Sequence, residues 1–203
     1  MKVIQVLPAL NGGGVEKGTL EVAKFLVDNG HESIVVSAGG TMVPKLQSEG
    51  SRHVVWDLGR KSLMTFRYVW AFRRFLREER ADVLHLRSRM PAWIAYLAWK
   101  GLPVDDRPKL VTTVHGLYSV SKYSQIMCKG ESVIAVSETV RSYILNNYPT
   151  TPPERIHLIY RGVDPEDFPY GYQPEQEWKN EFSTQFPKTK GKRLLCLPGR
   201  LTR

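Results

Sequence analysis

Short apolar runs alternate along this chain with stretches of helical periodicity, and that alternation admits few folds. The runs Lys2–Leu7, Glu32–Ser37, His53–Asp57, Asp82–Leu86, Leu110–Val114, Ser132–Val136 and Ile156–Tyr160 read as seven strands. They are rich in Val, Ile and Leu without strict alternation, as suits strands covered on both faces. Helical patterns fill the gaps. One places Val15, Thr19, Val22, Ala23, Leu26 and Val27 on a single face and stops at Asn29-Gly30. Others cover roughly Leu63 to Glu79, Ala92 to Lys100 and Glu138 to Asn147, that from Ala92 to Lys100 being apolar nearly all round and so expected to be buried. Strand-helix alternation of this kind predicts an α/β fold, a Rossmann-like parallel sheet with helices on both faces.

Beyond Asp164 the character changes. Pro165, Pro169, Gly171 and Pro174 interrupt regular structure, residues 174–187 read as one polar, partly amphipathic helix, and Leu194–Leu197 reads as the opening strand of a further α/β unit. With 203 residues, 42% hydrophobic, the chain can bury one sizeable core, and the length suits one to two domains. Its apolar runs are far shorter than a membrane-spanning helix needs. The N-terminus reads as a first strand rather than a signal peptide. Cys128 and Cys196 match no metal or redox spacing, so both read as packing residues in a reducing, cytoplasmic setting. The net charge of +9 suits an anionic partner or, equally, a generally basic solvated surface. Nucleic acid is disfavoured, because no helix-turn-helix, aromatic RNA-binding or zinc signature accompanies the charge.

Four segments fall at the carboxyl ends of expected strands, the rim where open parallel sheets bind ligands. Asn11-Gly12-Gly13-Gly14-Val15-Glu16 joins the first strand to the first helix. Its glycines let backbone approach a ligand, and the helix start offers free N–H groups to an anion. It is neither a dinucleotide fingerprint, which needs Gly where Lys17 stands, nor a P-loop, which needs Lys where Thr19 stands. Glu16 in the first turn complements the helix dipole. Arg87-Ser88-Arg89 follows the fourth strand and offers planar donors for phosphate or carboxylate; solvated loop charges are the alternative. His115 ends the fifth strand, where it can bond a sugar hydroxyl or move a proton, although a lone histidine is more often structural. Tyr118, Lys122 and Tyr123 follow it on the same loop. Arg161-Gly162-Val163-Asp164 leaves the seventh strand, with Gly162 read as supplying a backbone conformation closed to other residues; taken alone it is a turn.

In this order, the segments resemble family 4 glycosyltransferases of the GT-B fold. Gly12-Gly13-Gly14-Val15-Glu16 is similar to the family's G-G-x-E loop, Thr113-Val114-His115-Gly116 to its T-x-H-G strand end, and Val133-Ile134-Ala135-Val136-Ser137 to its V-I-A-V-S strand. Leu197-Pro198-Gly199-Arg200-Leu201 is similar to the G-R-L segment that opens the donor domain. Leu86 to Trp93 is similar to bacterial members acting on lipopolysaccharide or other surface glycans. Where the family carries P-N-G-V-D, this chain has Tyr160-Arg161-Gly162-Val163-Asp164.

The resemblance implies a retaining, metal-independent hexosyltransferase that needs no cofactor and takes a nucleotide-diphosphate sugar as donor. It implies His115 near the transferred sugar as the catalytic candidate. Gly12, Gly13, Gly14, Glu16, Arg161, Gly162 and Arg200 would face the donor phosphates, and Arg87, Ser88, Arg89, Tyr118 and Lys122 an anionic glycan or lipid-linked acceptor. Residues 1–168 would form an N-terminal acceptor-binding domain, 169–192 a linker and 193–203 the first strand of a donor-binding domain, so that the chain alone is expected to fold but not to transfer sugar. Arg60, Lys61, Arg67, Arg73, Arg74, Arg77 and Arg80, mixed with Phe66, Trp70 and Phe72, suggest a peripheral place on the cytoplasmic membrane. A non-catalytic α/β module binding sugar or phosphate is the alternative.

Overall fold

The computed structural model describes residues 1–60 and 62–196. Seven strands form one wholly parallel sheet: β1 (Lys2–Val6), β2 (Glu32–Ser37), β3 (Arg52–Val55), β4 (Val83–Leu86), β5 (Lys109–Val114), β6 (Ser132–Ala135) and β7 (Ile156–Leu158), in the order β3-β2-β1-β4-β5-β6-β7. All seven expected strands are present, with ends that differ by up to two residues. The order reverses between β1 and β4, which makes their carboxyl ends the two walls of a crevice. Their register sets Gln5 directly beside His85.

Helices α1 (Gly14–Asp28), α2 (Val43–Ser48), α3 (Tyr68–Glu79), α4 (Arg89–Lys100) and α5 (Glu138–Asn147) connect the strands. Three differ from the sequence expectation. The pattern expected as one helix from Leu63 divides into a 3-10 turn, Leu63–Arg67, followed by α3. Ser62 Oγ caps this turn by accepting from Met64 N, and Thr65 Oγ1 donates to Arg60 O, tying it to the preceding loop. Helix α4 starts at Arg89, ahead of the expected Ala92. Pro91 is tolerated there because first-turn N–H groups have no helical partner. On α1 the buried face is Gly18, Thr19, Leu20, Ala23 and Leu26, so Leu20 is inside rather than Val15 or Val22.

The apolar core lies on both faces of the sheet. One cluster joins Ile4, Val6, Leu84 and Leu86 to Phe72 and Leu76 of α3 and Ile94 and Ala98 of α4; a smaller one packs Leu20 and Ala23 of α1 against Leu7 and Val35. Phe72, expected among the surface aromatics of the basic segment, is fully buried. It meets Trp56 edge-on at 5.4 Å and Phe75 at 5.7 Å, because α3 turns its apolar stripe to the sheet. Cys128 is buried as expected, but Cys196 is exposed.

The chain divides into two compact units, Met1–Arg161 and Gly162–Arg203. Within the second, α6 (Gln176–Gln185) is followed by a 3-10 turn, Pro187–Thr189, and stacks Trp178 on Phe182 at 5.1 Å. Residues 194–196, expected to open a strand, form none: a strand needs a ladder partner, and no described strand pairs with them. Leu197 lies outside the described residues, as does Arg200. Among the described residues no helix is long and apolar enough to cross a membrane.

Phe72→Ala removes a fully buried aromatic ring and is expected to destabilise the first unit by about 3–5 kcal/mol. Urea denaturation followed by tryptophan fluorescence measures it; an unchanged midpoint would contradict the packing described.

Candidate functional site

A polar set lies under the carboxyl rim of an otherwise apolar sheet. Gln5, fully buried in β1, donates from Nε2 to the Thr19 carbonyl of α1 at 3.1 Å and accepts at Oε1 from Arg87 Nη1 at 2.9 Å. One residue thereby ties the central strand to the helix behind the glycine loop and to the arginine that leaves β4. His85 shares a 2.7 Å hydrogen bond with Thr113 of β5. Burial, then the Arg87 charge, holds His85 well below the ordinary histidine range. A polar group inside a sheet is stabilised when each of its atoms is paired, and most atoms of this set are.

Other buried polar atoms near the rim have no partner among the described residues. Arg87 is 5% exposed, and its Nε has no hydrogen-bond partner among the described residues. Both ring nitrogens of His115 are shielded and likewise unpartnered. Burial is the main cause that pushes His115 down to about 3, with Arg87 and Arg161 adding to it, so the imidazole is neutral at pH 7. Burial likewise lowers Arg87 to about 10, with a contribution from Arg161, and the guanidinium stays charged. Arg161, following β7, donates from Nη2 to the Gly14 carbonyl in the first turn of α1.

Two glycines make this approach possible. A Cβ at Gly14 would fall 2.8 Å from Arg161 Nη1, and one at Gly18 would fall 2.6 Å from Arg161 Nη2 and 3.2 Å from Arg87 Nη2. Gly12 has φ +102°, a conformation that favours glycine, while Gly13 caps α1 in extended backbone. Glu16 is half-buried in the same first turn. Gly162 departs from expectation: its backbone lies outside the left-handed region and a Cβ there would meet nothing within 4 Å, so another residue fits equally well.

Arg89 is placed differently from Arg87. Its guanidinium lies over the rings of Tyr118 and Tyr123, at 4.7 and 5.5 Å, and Nη1 donates to Ser124 Oγ at 3.2 Å. Tyr118 Oη accepts from the His115 backbone N–H at 3.3 Å, so the Arg89–Tyr118 pair borders the histidine. Ser88 is half-buried at the start of α4, and Lys122 is exposed on the loop. The structure thus brings Gly14, Arg87, His115 and Arg161 together, with Arg89 and Tyr118 at their edge. Gln5, His85 and Gly18 are additions. A Gln and a His inside two apolar strands were the available signal.

Beside Tyr123 an apolar groove of about 620 Å³ runs between the 3-10 turn and α4, lined by Leu63, Phe66, Met90, Trp93, Leu97 and Tyr123. Among the described residues, no three His, Cys, Asp or Glu side chains gather as a metal site.

Below pH 6.5 the unfolded chain protonates a histidine that folded His115 leaves neutral until about pH 3. Stability therefore falls with decreasing pH across this window, by about 1.4 kcal/mol per pH unit for one such group. His115→Phe is expected to flatten the slope of unfolding free energy between pH 6 and 4 by about that amount; identical slopes would contradict the buried neutral imidazole.

The model of Glycosyltransferase Family 4 matches residues 12–167. A glycosyltransferase from Rickettsia africae is 35% identical, with a TM-score of 0.73 over 92% of this chain and 49% of that one. Anabaena HepE, solved with UDP and glucose, is 17% identical, with a TM-score of 0.67 over 91% and 50%. The lipopolysaccharide outer core galactosyltransferase WaaB is 17% identical, with a TM-score of 0.64 over 81% and 46%; at such identities the likeness shows the fold alone. No curated protein sequence matches. The chain spans about half the length of these solved structures. Its Rossmann-like sheet, its glycine loop and the match across most of its length make it a member of glycosyltransferase family 4.

Proposed function

We propose that this chain is the acceptor-side half of a retaining glycosyltransferase of the hexosyltransferase type, moving a sugar from a nucleotide-diphosphate donor to a glycan or lipid-linked acceptor. The observation that carries the reading is His115, neutral and with both ring nitrogens unpartnered among the described residues, within the field of Arg87 and Arg161 at the carboxyl rim of the sheet. A neutral imidazole offers one donor and one acceptor, which suits a sugar hydroxyl. Planar guanidinium groups suit phosphate or carboxylate. The Anabaena protein of this fold was solved with UDP-glucose, which favours a sugar nucleotide as donor.

In this reading His115 contacts the transferred sugar. Gly12 to Gly14, with Glu16, face the donor phosphates together with Arg161, and the Arg87–Arg89 segment holds the acceptor with Tyr118 and Lys122. Residues 1–168 form the acceptor-binding domain, residues 169–192 a linker, and residues 193–203 lead into a donor-binding domain. The transfer requires no metal or cofactor. Retention of configuration rests on the family likeness. A role in lipopolysaccharide or surface-polysaccharide synthesis is favoured by the fold shared with the galactosyltransferase WaaB, and the setting is the cytoplasm.

The test joins this chain to the remaining half of the Rickettsia africae enzyme and measures transfer from a panel of sugar nucleotides. Arg87→Ala and Arg89→Ala are expected mainly to raise the acceptor KM. His115→Ala should lower kcat by about a hundredfold, the lower end for a group acting in the transition state. Unchanged kinetics in all three variants would return these residues to a structural role.

A peripheral place on the cytoplasmic membrane belongs to the same reading. Leu63, Met64 and Trp70 are 89%, 66% and 72% exposed, near Arg60 and Arg67 in the chain. Each exposed basic residue near an anionic bilayer contributes on the order of 1 kcal/mol. Arg73 is engaged instead, donating to the Ala98 carbonyl and lying over Trp70 at 4.8 Å, and Lys61 lies outside the described residues. Co-sedimentation with anionic vesicles at low salt is expected to exceed that with neutral vesicles; equal recovery would remove the membrane from the account.

A further inference from the structure

Met90, Trp93 and Leu97 recur at helical spacing along α4, so they share one stripe of its surface. Ile94, Ala95 and Ala98 of the same helix are buried in the core, and the stripe beside them forms one wall of the apolar groove of about 620 Å³. Leu63 and Phe66 of the 3-10 turn form the other wall, and Tyr123 completes the lining. The groove is fixed by its own hydrogen bonds. Ser62 Oγ caps the turn, Thr65 Oγ1 ties it to Arg60 O, and Trp93 Nε1 donates to the Tyr123 carbonyl at 3.0 Å. These bonds engage the polar atoms of Ser62 and Trp93, and of the lining side chains only Tyr123 adds another hydroxyl. A sugar ring placed there would leave most of its hydroxyls unpaired, a cost that hydrocarbon does not incur. The volume is that of a small-molecule site, whereas a stable protein partner covers a far broader surface.

One edge of the groove is cationic. The Tyr123 ring lies under the Arg89 guanidinium at 5.5 Å, and Arg89 precedes Met90 at the start of α4. Arg89 gives one donor to Ser124 Oγ, and among the described residues no carboxylate lies within ion-pair distance of it. An apolar slot beside a guanidinium with donors to spare matches an amphiphile, hydrocarbon in the slot and anion at the arginine. We propose that the groove between the 3-10 turn and α4 holds the hydrocarbon chain of a lipid-linked acceptor whose phosphoryl group meets Arg89. The inference deepens the proposed function, selecting a lipid-linked acceptor over a free glycan, and rests on that reading only for the chain's belonging to a substrate.

Calorimetry of the 203-residue chain with octyl, decyl and dodecyl phosphate, each kept monomeric, tests the groove without requiring transfer. One saturable site is expected, tightening about two- to fourfold for each methylene added, with inorganic phosphate far weaker. A bromine at the end of the decyl chain should quench tryptophan fluorescence, and Trp93→Phe should remove most of that quenching. Leu97→Trp fills the groove and should weaken decyl phosphate by about tenfold, the contact of roughly two methylenes. Leu63→Asp alters a mostly exposed side chain on which the fold does not depend, and should weaken it by a similar factor. Arg89→Ala should lower the affinity of all three phosphates by about tenfold while the gain per methylene persists. Affinity independent of chain length, wild-type affinity in these variants, quenching that survives Trp93→Phe, or binding to micelles and vesicles only would overturn the proposal. Chain-length-dependent binding without sugar transfer in the joined enzyme would uphold the ligand of the groove and count against the proposed function alone.

Discussion

Seven strands running in one direction deliver seven carboxyl ends to one edge, and the reversal of order between β1 and β4 opens that edge at a single place. The placement of the candidate site residues in the first unit follows from this constraint. The glycine loop leaves β1, Arg87 leaves β4, His115 leaves β5 and Arg161 follows β7. Residues as far apart in sequence as Gln5 and Arg87 thus become hydrogen-bonded neighbours. The apolar core on both faces holds the strands in register, and burial on both faces is what allows a wholly parallel sheet to persist.

The polar residues embedded in that core act against its stability. A buried guanidinium, a buried neutral histidine and a second arginine at the positive end of a helix each raise the free energy of the unliganded fold. Gln5 and Thr113 compensate part of it by satisfying Arg87 and His85. The remainder is on Arg87 Nε and the His115 ring, which have no hydrogen-bond partner among the described residues. Unsatisfied groups of this kind gather where a ligand is bound, and their perturbed protonation follows from the same burial.

The fold was legible because it depends on local pattern. Strands rich in Val, Ile and Leu announce themselves, and β2 and α5 coincide with their expected limits. Helix α2 went unseen because Val43–Ser48 is six residues long with Pro44 in its first turn, too short for periodicity to register. The site was half legible. Gly14, Arg87, His115 and Arg161 stand out at strand ends, but their partners come from long-range geometry. Nothing local tells that Arg89 is held between Tyr118 and Tyr123 while Arg87 is buried, although the two are separated by one serine. Gln5 and His85 were visible as polar interruptions of apolar strands; their meaning required the β1–β4 register that sets them side by side.

Under the proposed function, a sugar nucleotide engages this chain at the carboxyl rim of the sheet, beside Arg87, His115 and Arg161. Titrating UDP-glucose into the isotopically labelled protein and following backbone amide resonances addresses it directly. The account predicts progressive, saturable shifts at Gly12 to Gly18, Arg87, His115 and Arg161, with the amino-terminal ends of the strands unmoved. Silence at these positions, with shifts confined elsewhere on the molecule, would contradict it.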